Sequence, residues 1–154
     1  MDKITLQRIE KAHPTIRKEL KEQYLEINNK LPKGVRLRFS SVYRSISEQN
    51  RLFEKKPKVT NAKGGQSIHN YGLAFDIVIL FDKDNNGTFE SASWNQDQYW
   101  MQVVIYFKSK GYEWGGDWKS FKDAPHFEKT FGNTWKTLIN KETFLDNGIN
   151  YPKL

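Results

Sequence analysis

Apolar positions recur along the whole chain, and their spacing changes from one stretch to the next. Ile9, Ile16, Leu20, Tyr24, Ile27 and Leu31 follow a period of about 3.6 residues, which predicts helix over 3–31. Pro14 breaks that stretch and, lacking an amide hydrogen, fits the first turn of a second helix. "LPKG" at 31–34 reads as a turn. In "VRLRFSSVY" the apolar positions alternate, with Val35, Leu37 and Phe39 on one face of a half-buried strand. Ser45 and Glu48 fit a capping box, so a helix is expected to start at Ser45. Residues 55–66, "KKPKVTNAKGGQ", are a loop. "LAFDIVIL" is a strand by its β-branched and aromatic content, and "FDKDNNGTFESAS" a loop. Trp100, Val103, Val104 and Phe107 form one stripe of a helix over 95–110, closed by Gly111. "YEWGGDW" and "PHFEKTF" read as short strands, and a last short helix is expected over 133–141. Strands and helices do not alternate regularly. The predicted class is therefore α+β, a small, largely antiparallel sheet flanked by helices, in one domain over 1–154.

One position breaks the pattern. Asp76 sits inside the apolar run 73–80, where a carboxylate is costly unless it meets a proton, a cation or a metal. Candidate partners are few. The chain has three histidines and no cysteine, so thiolate catalysis, disulfides and Cys-ligated zinc are excluded. His13, beside Pro14, reads as a surface or capping residue. His69 lies seven residues before Asp76, and His126 follows Asp123 by three. Two imidazoles and a carboxylate can hold zinc, with a second carboxylate nearby to move a proton. An ordinary His–Asp ion pair explains the same spacing, and H-E-x-x-H is absent.

The longer pattern separates these readings. "SIHNYGLAFD" supplies S-x-H-x-x-G-x-A-x-D through Ser67, His69, Gly72, Ala74 and Asp76. "DAPHFE" supplies an acidic residue, then x-x-H, and "SVYRSISEQNRLF" places Arg44 and Gln49 upstream. Together these resemble the VanY-like D-alanyl-D-alanine carboxypeptidases and the phage L-alanyl-D-glutamate endopeptidases, within the group that includes lysostaphin-type enzymes and the hedgehog fold. The resemblance runs over about residues 5–130. It implies a hedgehog/D-Ala-D-Ala-peptidase-like fold and a zinc peptidase of the peptidoglycan stem peptide. His69, Asp76 and His126 would be the zinc ligands. Asp123 would be the general acid–base and Arg44 would stabilise the oxyanion. Ser67 and Gln49 would hold substrate or orient Arg44. Two departures stand out. Asp123 is one methylene shorter than the Glu of many members, although some endopeptidase members use Asp. Val42 replaces the glycine of "SGYR", which bears on local backbone shape.

Charge and the remaining loop adjust this picture. A net charge of +7 favours a polyanionic partner. The lysines are scattered, so a nucleic-acid partner has no support beyond charge, and peptidoglycan is the expected partner of a monomer. "DKDNNG" matches the first half of a calcium loop through Asp82, Asp84 and Asn86, but Ser93 stands where a bidentate Glu is required. A polar turn of the same composition is the alternative to calcium. Of the five Trp, most are expected in the core. "MDKITLQRIEKAHP" lacks the apolar stretch of a secretory signal, and no run is long enough to span a membrane. The expected route is synthesis in the cytoplasm and action on the wall after release, as for phage enzymes. Within this class a D-alanyl-D-alanine carboxypeptidase or dipeptidase is the rival. Outside it the rival is a non-catalytic wall-binding module, which would need neither Asp123 nor Arg44.

Overall fold

The computed structural model describes residues 1–154. Pro14 divides the first helical stretch as its chemistry requires. Helix α1 (Lys3–Ile9) is capped by Asp2, and α2 (Pro14–Lys30) by His13. His13 is buried rather than on the surface. Its Nδ1 accepts from the Thr15 amide at 3.1 Å, while Nε2 lies 2.8 Å from the Pro152 carbonyl. One neutral tautomer satisfies both contacts. Burial holds this imidazole below its ordinary value, which keeps it neutral.

The sheet is antiparallel and five-stranded, and strand β2 (Ala74–Phe81) is its hub. β1 (Val35–Ser41) pairs along one edge of β2. The other edge is shared by β3 (Ser91–Ser93) at its far end and β5 (His126–Glu128) at its near end. β4 (Glu113–Trp114) pairs with β5. Helix α3 (Ile46–Glu54) starts at Ser45, whose hydroxyl accepts from the Glu48 amide, and α4 (Gln98–Ser109) starts at Asp97. Short helix α5 (Trp135–Leu138) follows. Strand β3 falls inside the stretch expected to be loop; three residues of Ser and Ala carry no apolar alternation.

A final hairpin, β6 (Thr143–Asp146) and β7 (Ile149–Pro152), forms a separate two-stranded sheet. Asn147 and Gly148 both take positive φ, as a two-residue I′ turn demands. Tyr151 anchors the hairpin. It is fully buried against His13, and its hydroxyl donates to the Lys11 carbonyl at 2.8 Å.

Alternation along β2 explains the misplaced carboxylate. Phe75, Ile77 and Ile79 face the core, where Phe75 stacks between Phe39 of β1 and Phe127 of β5, with centroids 4.2 and 5.2 Å away. Asp76 points to the opposite face. Its run is apolar because both faces of β2 are covered, not because Asp76 lies in the aromatic core. Trp100 is fully buried, Trp114 nearly so, and Trp94 is exposed.

Asp2 ties the first helix to the sheet. Its carboxylate accepts from the Thr5 amide and hydroxyl and pairs with Arg38 at 2.9 Å. Burial works against its charge, yet the Arg38 and Thr5 hydrogen bonds hold its carboxyl below the ordinary 3.8. A lowered pKa adds stability above the unfolded value and loses it as pH falls through the folded one. Asp2→Asn is expected to cost about 1–2 kcal/mol at pH 7. The gap to wild type should narrow as pH falls below 3.8 and on through the lower folded value. Urea unfolding at neutral pH and across that range checks this; an unchanged gap would assign the loss to the cap.

Candidate metal centre

Four separate elements deliver the site. His69 sits in a 3-10 turn over Ile68–Tyr71, Asp76 on β2, His126 on β5, and Asp123 on the loop before β5. Register does part of the work, since Asp76 and His126 are directly opposed across β2 and β5. A bulge in β1 between Phe39 and Ser41 lies alongside, where Ser41 faces Asp76.

The motif glycine and serine hold the turn that carries His69. Gly72 ends it with φ 71°, and a Cβ there would lie 2.6 Å from the His13 amide nitrogen. Ser67 caps the turn by accepting from the His69 amide, with Asn70 completing a capping box. Ser67 also lines the cleft.

The imidazoles face one point. His69 Nε2 lies 3.1 Å and His126 Nδ1 3.2 Å from the same oxygen, Asp76 Oδ1. The ligand atoms of the three residues all fall within 4.8 Å of one another. Each ring's other nitrogen is already engaged. His69 Nδ1 is 2.7 Å from the Val42 carbonyl, and His126 Nε2 is 2.7 Å from Glu128 Oε1. These contacts leave one acceptor nitrogen per ring aimed inward. Two imidazoles, one carboxylate and an open cleft-facing side fit a zinc ion with three protein ligands. Burial works against the Asp76 charge, but the His69 and His126 imidazoles hold its carboxyl well below the usual range. Burial works against the His126 cation too, but hydrogen bonds to Asp76 and Glu128 push it up to about 9.

Asp123 Oδ2 lies 3.9 Å from His126 Nδ1, and its side chain is half exposed to the cleft. Burial and the Asp76 charge push its carboxyl above the ordinary value. Its backbone is fixed by Gly115, whose carbonyl accepts from the Asp123 amide at 3.0 Å. The approach is so close that a Cβ at residue 115 would meet the Asp123 carbonyl oxygen at 2.2 Å. Arg44 reaches the cleft wall with Nη1 donating to Gln49 at 3.0 Å and Nη2 to Ser41 at 3.2 Å. Gln49 is fully buried, and its other amide end donates to the Ala62 carbonyl at 2.8 Å. It orients Arg44 and pins the 55–66 loop, which forms one wall of the cleft.

That cleft has a volume of about 990 Å³ and contains Arg44, Ser67, His69, Asp76, Asp123 and His126. Trp118, Phe121 and the 59–62 segment also line it. Sequence reasoning missed Glu128 and the Val42 carbonyl. A signal for Glu128 existed, because residues two apart on a strand share a face. A backbone carbonyl leaves none. Asp82, Asp84 and Asn86 lie outside the site. Asp82 accepts from the Asn86 and Gly87 amides, and Asn86 donates to Asp84, as in a self-satisfied polar turn.

The chain is similar to several known peptidases. Residues 60–129 match the M15 peptidase family described as D-alanyl-D-alanine carboxypeptidase. The peptidoglycan L-alanyl-D-glutamate endopeptidase CwlK of Bacillus subtilis is 40% identical over 108 residues, covering 62% of each chain. The L-alanyl-D-glutamate peptidase of Listeria phage A118 is 29% identical over 116 residues, which cover 68% of this chain and 40% of that protein. The chain thus spans less than two thirds of either relative. The L-Ala D-Glu endopeptidase ChiX of Serratia marcescens shares the fold, with a TM-score of 0.58 over 85% of this chain and 90% of that one, at 23% identity. By these matches the chain is similar to L-alanyl-D-glutamate endopeptidases, and the stretch matching the M15 peptidase family, 60–129, contains His69, Asp76, Asp123 and His126.

Proposed function

We propose that the protein is a zinc-dependent endopeptidase of the peptidoglycan stem peptide, cutting the L-alanyl-D-glutamate bond. The observation that carries this is the convergence of His69, Asp76 and His126 on one point, with Asp123 beside it in an open cleft. When bound there, zinc supplies Lewis acidity at neutral pH, activating water and polarising the carbonyl under attack. The Asp123 carboxylate takes the proton from the attacking water and returns it to the departing amine. The Arg44 guanidinium, held by Gln49 and Ser41, faces the oxyanion that forms. The cleft is at the upper end of ordinary ligand pockets, about 300–1,000 Å³, which suits a chain lying on both sides of the bond.

A second reading, release of a terminal D-alanine, is favoured by the name of the matching family. Mass spectrometry of muropeptides from digested peptidoglycan separates the two. New N-terminal D-glutamate supports the endopeptidase; free D-alanine with intact L-alanyl-D-glutamate bonds overturns it. Calcium has no part in this proposal, because the carboxylates of 82–84 are spent on the loop's own donors.

Exposed lysines lie on the segments that line the cleft: Lys55, Lys56, Lys58 and Lys63 flank 59–62, and Lys119 and Lys122 flank Phe121. None of them pairs with a carboxylate; Lys58 and Lys63 lie over the Phe53 ring. Exposed charges are screened over about 8 Å at physiological ionic strength. Lysis of intact wall is therefore expected to fall steeply between 50 and 500 mM salt (about 4–14 Å of screening length), while cleavage of a small soluble muropeptide barely changes. Equal salt dependence on both substrates would place the sensitivity inside the site, at Arg44.

A further inference from the structure

We propose that Glu128 is a positioning residue for the metal centre, fixing the tautomer and orientation of His126; this rests on the zinc reading above. Glu128 lies on β5 two residues after His126, so both side chains leave the same face of the strand while Phe127 enters the core. Its Oε1 is 2.7 Å from His126 Nε2. That is the only side-chain hydrogen bond Glu128 makes, although its side chain is just 13% exposed. The strand register also sets Glu113 directly across from it, a like charge that disfavours a carboxylate there. A carboxylate in so enclosed a place needs a compensating partner, and the imidazole is the one present.

The consequence falls on the other ring nitrogen. With Nε2–H donating to Glu128, Nδ1 carries the lone pair, and Nδ1 is the atom that faces Asp76 and His69. The carboxylate also makes the ring a more basic ligand. His69 receives its equivalent from the Val42 backbone, which mutation cannot remove. Of the two ring nitrogens that face away from the site, the one on His126 is thus held by a side chain, Glu128.

The test is zinc affinity, measured on stripped protein by competition with a chelator, beside the melting temperature of each stripped variant. Glu128→Ala is expected to weaken zinc binding about 10–100-fold. Glu128→Gln keeps an oxygen acceptor and is expected to lose about tenfold or less. Glu128→Ala within twofold of wild type would overturn the proposal, as would Gln as weak as Ala, which would mean that charge alone is at work. A fall in melting temperature with unchanged affinity would also overturn it, leaving a structural role. If Ala does not fold, full wild-type affinity in Gln and in Glu128→Leu refutes the proposal. Absence of zinc binding by the wild type would instead remove the metal reading itself.

Discussion

Asp123→Asn is expected to lower turnover on purified peptidoglycan by about 10²–10⁴-fold while zinc content and melting temperature stay near wild type. The substitution removes a proton acceptor and almost nothing else. Asp123 makes no side-chain hydrogen bond, and its carboxylate is half exposed, 3.9 Å from His126. What positions the residue is backbone: its amide donates to Gly115, and its carbonyl accepts from the His126 amide at 3.1 Å. Asn keeps that geometry and the volume. Loss of activity with one zinc retained would therefore report chemistry rather than folding. The resemblance leaves open whether Asp, one methylene shorter than Glu, can reach. The Gly115 contact holds the Asp123 backbone in place and leaves its Oδ2 3.9 Å from His126 Nδ1. By the same reasoning Asp123→Glu is expected to be impaired, because the longer side chain enters a loop already set for the shorter one. Near-normal lysis by Asp123→Asn would show that another group moves the proton.

Much of this site was legible because its signals are local. Ser67, His69, Gly72 and Asp76 lie within ten residues, and the turn-then-strand geometry that unites them needs no distant partner. Two helices were legible for the same reason: Ser45 and Pro14 mark their starts in the adjacent sequence. What failed to show depends on contacts distant in sequence. His13 reads as a surface or capping residue; it does cap α2, but its burial depends on β7, which arrives 139 positions later to place the Pro152 carbonyl at its Nε2. Strand β3 exists because β2 offers it an edge, not because "SAS" favours extension. The β6–β7 hairpin is a different case. Its Asn147–Gly148 turn was a readable signal, but alternation on its flanks is weak, with Leu145 exposed. The buried Gln49 shows the limit of motif reasoning. A motif places it near Arg44, and only the fold reveals that its second amide end holds the cleft wall.

Zinc should stabilise the fold as well as activate it, and His69→Ala should abolish the effect. A ligand that binds only the native state adds about 4 kcal/mol when present at a thousand times its dissociation constant. For a domain of this size about 1 kcal/mol moves the melting temperature by some 2–4 °C, so the stripped wild type is expected to gain roughly 8–16 °C on zinc addition. The three ligands come from the 68–71 turn, β2 and β5, so the ion would tie the turn to the β2–β5 pair. His69→Ala removes one of three ligands and leaves Asp76 and His126 to share an ion too weakly for that gain. Its stripped form should melt lower for packing reasons, since the ring is buried 5.1 Å from His126. The quantity that decides is therefore the zinc-dependent increment, not the absolute melting point. An increment in His69→Ala equal to that of wild type would remove His69 from the ligand set. A wild type with no increment, while a chelator still abolishes lysis, would mean that the ion binds elsewhere, and the convergence on Asp76 Oδ1 would then be an ion pair alone.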